Sequence, residues 1–166
     1  MTPSAAPIVF SLELFDRLVE TVRTRFPEKT FGYLLSDVDS RTPTDFLVFR
    51  ENVRNTPAWQ GEFHARGRYF VDNDDAGFVA SAEETWRMQQ EIWNAGLFEV
   101  GVFHSHQRHP ANFSGIDYEL HVSRFPSLWH LIVSMRNLEL PQLRVFDATA
   151  EGVRELPLEL AGSPAR

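Results

Sequence analysis

The chain contains no cysteine. That absence excludes disulfides, thiolate metal sites and a cysteine nucleophile, so any bound metal must be held by histidine and carboxylate side chains. Positive charge is also scarce: 16 Lys+Arg stand against 23 Asp+Glu, a formal net charge of −7. A negative protein lacks the field that nucleic acid or an anionic membrane requires, so neither is expected as a partner. No apolar run approaches the roughly 20 residues that span a bilayer. The first residues, MTPSAAPIVF, lack the basic start and apolar centre of a signal peptide, which makes a cytoplasmic location the expectation. With 166 residues the chain is long enough for one domain and short for two.

What is present points to a folded interior. The composition is 43% hydrophobic, with 14 Phe and 4 Trp. Residues 1–10 read as a flexible leader, 11–160 as a single domain and 161–166 as a disordered tail. Ser11 is a good N-cap for a helix whose apolar positions Leu12, Phe15, Leu18, Val19, Val22 and Phe26 recur at helical spacing until Pro27 stops it. Strands are expected at Phe31–Leu35 and Phe46–Phe49. Ser81 and Glu84 form an S-x-x-E capping box for a second long helix, ended by Gly96, with Trp86 and Trp93 on one face as core or a subunit contact. Residues 98–106 read as an apolar strand, about 114–124 as a helix, and 129–135 and 143–146 as further strands. Residues 51–80 are the least legible: a strand near Arg68–Val71 is expected within a long loop, and a segment of this kind suits a flap over a site. Helices alternating with strands give an α/β (α+β) fold, one mixed sheet flanked by helices.

The chemistry concentrates in residues 101–117. His104 and His106 lie two apart at the end of the apolar strand, so their imidazoles point to one side. Ser114 and Asp117 are three apart at a helix start and share a face. Two imidazoles and one carboxylate make a three-ligand set of the kind found in catalytic zinc sites. Each piece also has a plainer reading. A histidine pair at a strand end is usually only polar, and Ser114 with Asp117 is a helix capping motif. The complete H-x-H-x7-S-x2-D pattern fixes four residues at three spacings.

That pattern, His104-Ser105-His106, Ser114 and Asp117, resembles the MPN/JAMM zinc metalloproteases in their small bacterial form. Phe31-Gly-Tyr-Leu-Leu-Ser36 is similar to the family's first core strand, and Trp129-His-Leu-Ile-Val-Ser134 to its later one. The resemblance spans roughly residues 11–146 and implies a cytidine-deaminase-like MPN fold with one Zn²⁺ ligated by His104, His106 and Asp117. It implies that Ser114 stabilises the oxyanion and that a glutamate near the first core strand acts as the general base. It also implies a substrate: the C-terminal tail of a ubiquitin-like or sulfur-carrier protein, cut at an amide or isopeptide bond. A catalytically weak or inactive metal-binding scaffold is the alternative, and pairing with a second copy of the chain stays open.

The base is where the pattern departs. Three residues before Gly32 stands Lys29, and Glu28 lies one residue further upstream. In a regular strand a one-residue slip turns a side chain to the opposite face. Either an irregular backbone after Pro27 re-aims Glu28 into the site, making it the catalytic base, or the base has been lost; Glu62 is a remote third candidate. His109 is expected as an exposed loop residue, His121 as a helix-surface residue and His130 as a satisfied structural histidine. Gln107 stands where relatives often carry proline.

Overall fold

A computed structural model describes residues 5–162. Ile8–Ser11 forms β1, and Leu12–Arg25 forms α1. The hydroxyl of Ser11 accepts a hydrogen bond from the Leu14 amide, as a helix N-cap should. Phe31–Ser36 (β2) and Asp45–Val48 (β3) follow as an antiparallel pair. Two short helices, Pro57–His64 (α2) and Arg68–Asp72 (α3), lead to the long α4, Ala82–Asn94. The chain then builds β4 (Phe98–His106), α5 (Gly115–Arg124), β5 (Trp129–Ser134), β6 (Gln142–Thr149), β7 (Gly152–Leu156) and β8 (Leu158–Ala161).

Six strands make one mixed sheet in the order β3-β2-β4-β5-β6-β7, antiparallel throughout except for the parallel pair β4 and β5. That parallel pair requires a crossover, and α5 supplies it. The two faces have separate cores. On one, Leu14, Leu18 and Val22 of α1 pack on Leu34, Phe103, Leu131, Val133 and Val145. On the other, Met88 and Ile92 of α4 meet Phe31, Tyr33, Leu35 and Phe78. Leu34 pairs with Gly101 but Leu35 pairs with Glu99, leaving Val100 as an extra residue in β4. This bulge lets Val100 join the α1 core alongside Phe103 while Val102 and His104 stay on the opposite face.

Two glycines permit close approach in this sheet. A Cβ on Gly32 would sit 1.9 Å from the Leu47 carbonyl oxygen, and one on Gly101 would sit 2.5 Å from the Trp129 ring. Trp129 donates its indole N–H to the Ser40 carbonyl, 2.7 Å away. No helix among the described residues is long and apolar enough to cross a membrane.

Several expectations change. Residues 8–11 are not a loose leader: β1 pairs in parallel with β8, Ile8 opposite Leu158, as a separate two-stranded sheet. Ala161 closes that pairing, so the tail does not begin there, and residues 1–4 and 163–166 lie outside the described residues. Arg68–Asp72 is helical rather than a strand, with an Arg68–Asp72 ion pair one turn apart. Only half of the expected capping box forms at α4. Ser81 caps the Glu84 amide, but the Glu84 carboxylate turns away to accept from the amides of Arg50 and Glu51. Trp86 and Trp93 are 66% and 83% exposed, so they are not core of this chain.

Candidate metal centre

β4 delivers His104 and His106 to one face of the sheet, where His104 is fully buried and His106 is partly so. α5 begins beside them. Ser114 and Asp117 do form a capping box: Ser114 Oγ accepts from the Asp117 amide at 3.2 Å and Asp117 Oδ2 accepts from the Ser114 amide at 3.1 Å. The cap and the site are therefore the same structure. With its carboxylate fixed by the helix start, Asp117 sets Oδ1 3.2 Å from His104 Nε2 and Oδ2 3.4 Å from His106 Nε2.

The two Nε2 atoms lie 2.9 Å apart. Ligands held about 2.0–2.1 Å from a tetrahedral zinc ion are separated by about 3.3 Å along the tetrahedron's edges. The two imidazole nitrogens and the two oxygens of the carboxylate thus lie close to the spacing such an ion needs, and one donor atom from each of the three residues falls within 4.8 Å of the others, a nitrogen and oxygen set that suits zinc. The ring orientation of His106 is fixed as well. Its Nδ1 lies 2.9 Å from the Pro110 carbonyl, which can only accept, so Nδ1 carries the proton and Nε2 presents its lone pair.

Burial brings the His104 pKa down to about 4, against a smaller pull upward from Asp117, so the ring is neutral near pH 7. Burial alone would raise the Asp117 carboxyl, but the adjacent His104 and His106 rings outweigh it and hold the group ionised. For His104 and Asp117 these, a neutral imidazole and an ionised carboxylate, are the protonation states in which such side chains bind metal.

His106 and Asp117 open into a cavity of about 270 Å³, with His104 buried behind them, and its wall also includes Lys29, Asp75, His109 and Ser114. Lys29 is the only lysine in the chain. Burial lowers its pKa, while Asp117 and Asp75 pull it back up. Glu28 does not line this cavity; it is exposed and borders the neighbouring hollow of about 520 Å³. The backbone after Pro27 does not re-aim Glu28 into the site: β2 starts at Phe31, paired with His104, and of the two residues it is Lys29 that borders the cavity. Glu62 is exposed on α2 and also lies away from the cavity.

Residues 51–80 supply what sequence reasoning missed. Asp75, with a side chain 13% exposed and 3.7 Å from Arg108, joins Tyr69 and Gly77 on the cavity wall. The segment is organised by Arg54, a fully buried side chain that donates to the carbonyls of Phe70, Asn73 and Ala76. His109 is exposed, as expected, yet it also borders the cavity. His121 is not a surface residue: it is fully buried, its Nδ1 2.9 Å from that of His130. Its position four residues after Asp117 was the available signal, since i and i+4 share a helix face.

Fold and site together define an α/β domain of the JAB/MPN kind with a candidate His-His-Asp metal centre. A family model described as prokaryotic homologs of the JAB domain matches residues 11–146, and the chain belongs to that family. No curated protein matches it. Among solved structures, protein DSY2949 from Desulfitobacterium hafniense is similar at 21% identity, with a TM-score of 0.68 over 93% of each chain. AF2198, a JAB1/MPN domain protein from Archaeoglobus fulgidus, is similar at 14% identity and a TM-score of 0.55, over 95% of this chain and 100% of its own. A structure described as JAMM, a metalloprotease-like zinc site in the proteasome and signalosome, has the same identity and coverages, 14%, 95% and 100%, with a TM-score of 0.52. At these identities the likeness speaks for the fold.

Proposed function

We propose that this chain is a zinc-dependent hydrolase of amide or isopeptide bonds, acting on the C-terminal tail of a ubiquitin-like or sulfur-carrier protein. The observation that carries the proposal is the spacing of His104, His106 and Asp117, with Ser114 on the same cavity wall. The substrate class follows from the resemblance to MPN/JAMM proteases. Bound there, zinc supplies Lewis acidity, polarising a carbonyl and letting water act as a nucleophile near neutral pH. Ser114 Oγ accepts from the Asp117 amide, which leaves its own proton free to donate to an oxygen that gains charge.

The reaction also needs a proton acceptor. Glu28 is outside the cavity, and Asp75 is the one carboxylate besides Asp117 that borders it. Asp75 is therefore the residue we assign to that role, with Lys29 beside it able to deliver a proton to the leaving amine.

One observation favours a second reading. A lysine at the inward position places positive charge where a cation and a carboxylate base would otherwise cooperate. That arrangement suits a module that holds metal and binds a tail without cutting it. The test is to incubate zinc-loaded protein with ubiquitin-like fusions carrying a Gly-Gly-ended tail. Chelator-sensitive cleavage, lost in Ser114→Ala and Asp75→Asn, supports the hydrolase. Tail binding without cleavage supports the module, and neither binding nor cleavage sinks both substrate assignments.

A further inference from the structure

His104 is tied to the interior as well as to His106 and Asp117, which border the cavity. Its Nδ1 lies 2.6 Å from Nε2 of His130, and Nδ1 of His130 lies 2.9 Å from Nδ1 of His121. All three rings are buried, and Nε2 of His121 makes no hydrogen bond. Phe78 packs against His104 and His130, and Phe113 against His130 and His121, so apolar rings wall the row.

A neutral imidazole has one N–H and one lone pair. Three in a row can therefore be polarised in only two ways. In the outward polarity, His121 Nδ1 donates to His130, His130 Nε2 donates to His104, and His104 carries its proton on Nε2. In the inward polarity, His104 Nδ1 donates to His130, His130 Nδ1 donates to His121, and His104 Nε2 presents a lone pair.

The surroundings of His104 Nε2 choose between them. Without metal it faces two acceptors: the His106 Nε2 lone pair at 2.9 Å and Asp117 Oδ1 at 3.2 Å. Two acceptors call for a donor, and so for the outward polarity. A cation held by the triad calls for a lone pair, and so for the inward one.

We infer that His130 and His121 are positioning residues for the metal, forming with His104 a row whose polarity reverses when the triad takes up a cation. This rests on the metal-holding part of the reading above. The protons balance. The two in the hydrogen bonds cross to the neighbouring nitrogens, His104 Nε2 gives its proton to solvent by way of Asp117, which borders the cavity, and His121 Nε2 takes one up from water, so the row stays neutral.

The experiment is long-range ¹H–¹⁵N NMR of the histidine rings in the metal-free and zinc-loaded protein. The expected metal-free pattern has protons on His104 Nε2, His130 Nε2 and His121 Nδ1; in the zinc-loaded protein each moves to the other nitrogen of its ring. Unchanged tautomers at His130 and His121 on loading, or an inward metal-free pattern, overturn the inference. In parallel, His130→Leu should weaken zinc binding about 10–100-fold, the usual loss when a ligand's outer partner is removed. His130→Gln, whose amide oxygen can accept from His104 Nδ1, should restore most of it; a His130→Leu protein that binds zinc like wild type overturns the positioning role. Should His130→Leu fail to fold, the wild-type spectra decide. If the wild type binds no zinc, the metal-holding reading fails separately, and the metal-free spectrum still tests the row.

Discussion

Lys29 borders the cavity of the His104–His106–Asp117 triad, and Glu28, its immediate neighbour in the chain, stands exposed outside it. The inward residue sets the charge that a bound cation meets. Lys29→Glu exchanges a positive for a negative charge beside the site, and Lys29→Ala only removes the positive one. In a partly screened site a unit charge a few ångströms away contributes on the order of 1–2 kcal/mol. Zinc binding is expected to tighten by about tenfold in Lys29→Ala and further in Lys29→Glu, read by competition with a chromophoric chelator. Unchanged affinity in both would mean that Lys29 does not reach the metal.

Removing a ligand should have the opposite effect. His104→Ala and Asp117→Ala each take one donor from a three-donor set, and stoichiometric zinc is expected to be lost in both. Metal analysis of the purified variants checks this directly. Chelation of the wild type should lower its melting temperature, because a ligand that binds only the folded state stabilises it. A variant that retains one zinc per chain would sink the triad assignment.

The metal-free protein should also weaken in acid. Imidazoles in an unfolded chain titrate near 6.5, whereas burial brings His104 to about 4. Burial lowers His130 and His121 as well. As pH falls through that window the unfolded chain takes up protons that the folded chain refuses, so stability is full above about 6.5 and declines below it. From His104 alone the loss between pH 7 and pH 5 is on the order of 2 kcal/mol. Asp117 works in a different range: its depressed pKa contributes stability above the ordinary carboxylate value, lost only in stronger acid. Urea unfolding at pH 7 and pH 5 measures the difference, and equal midpoints would contradict the buried neutral histidines.

Arg54 gives a test of the segment over the site. Its guanidinium donates to three backbone carbonyls, of Phe70, Asn73 and Ala76, from a fully buried position. Arg54→Ala leaves those carbonyls without their charged donor. A loss of about 3 kcal/mol is expected, together with faster hydrogen exchange across residues 57–80. Exchange confined to the termini would show that the segment is held by other contacts.

The parts of this molecule that were legible in the sequence are those fixed by neighbours in the chain. Ser11 and Ser114 announce helix starts because a cap acts over three residues. His104, His106, Ser114 and Asp117 were readable because strand and helix periods dictate which side chains share a face. The inward position of Lys29 followed from the same counting. The illegible parts depend on distant partners. Pro57 after Thr56 is the one local sign of the 57–64 helix, and 68–72 carries none, since Arg54 reaches across from an earlier loop to the Phe70 carbonyl and the Phe63 ring. Glu84 left its capping box for amides at Arg50 and Glu51, a bond invisible to spacing. His121 shares a helix face with Asp117, but the partners that bury it, His130 and Phe113, come from other parts of the chain that helical spacing does not name.

The parallel pairing of β1 with β8 bears on how the molecule is made. Ile8 and Leu158 meet from nearly opposite ends of the described chain. Closing so long a loop is slow and entropically unfavourable until the intervening structure has drawn its ends together. During synthesis β1 must wait, unpaired, until β8 has left the ribosome. Ile8 and Phe10, both fully buried once the fold is complete, lie on that waiting strand. The α1 core is therefore sealed only once β8 has been made, and a chain interrupted before Leu158 would hold its metal ligands already synthesised and one face still open.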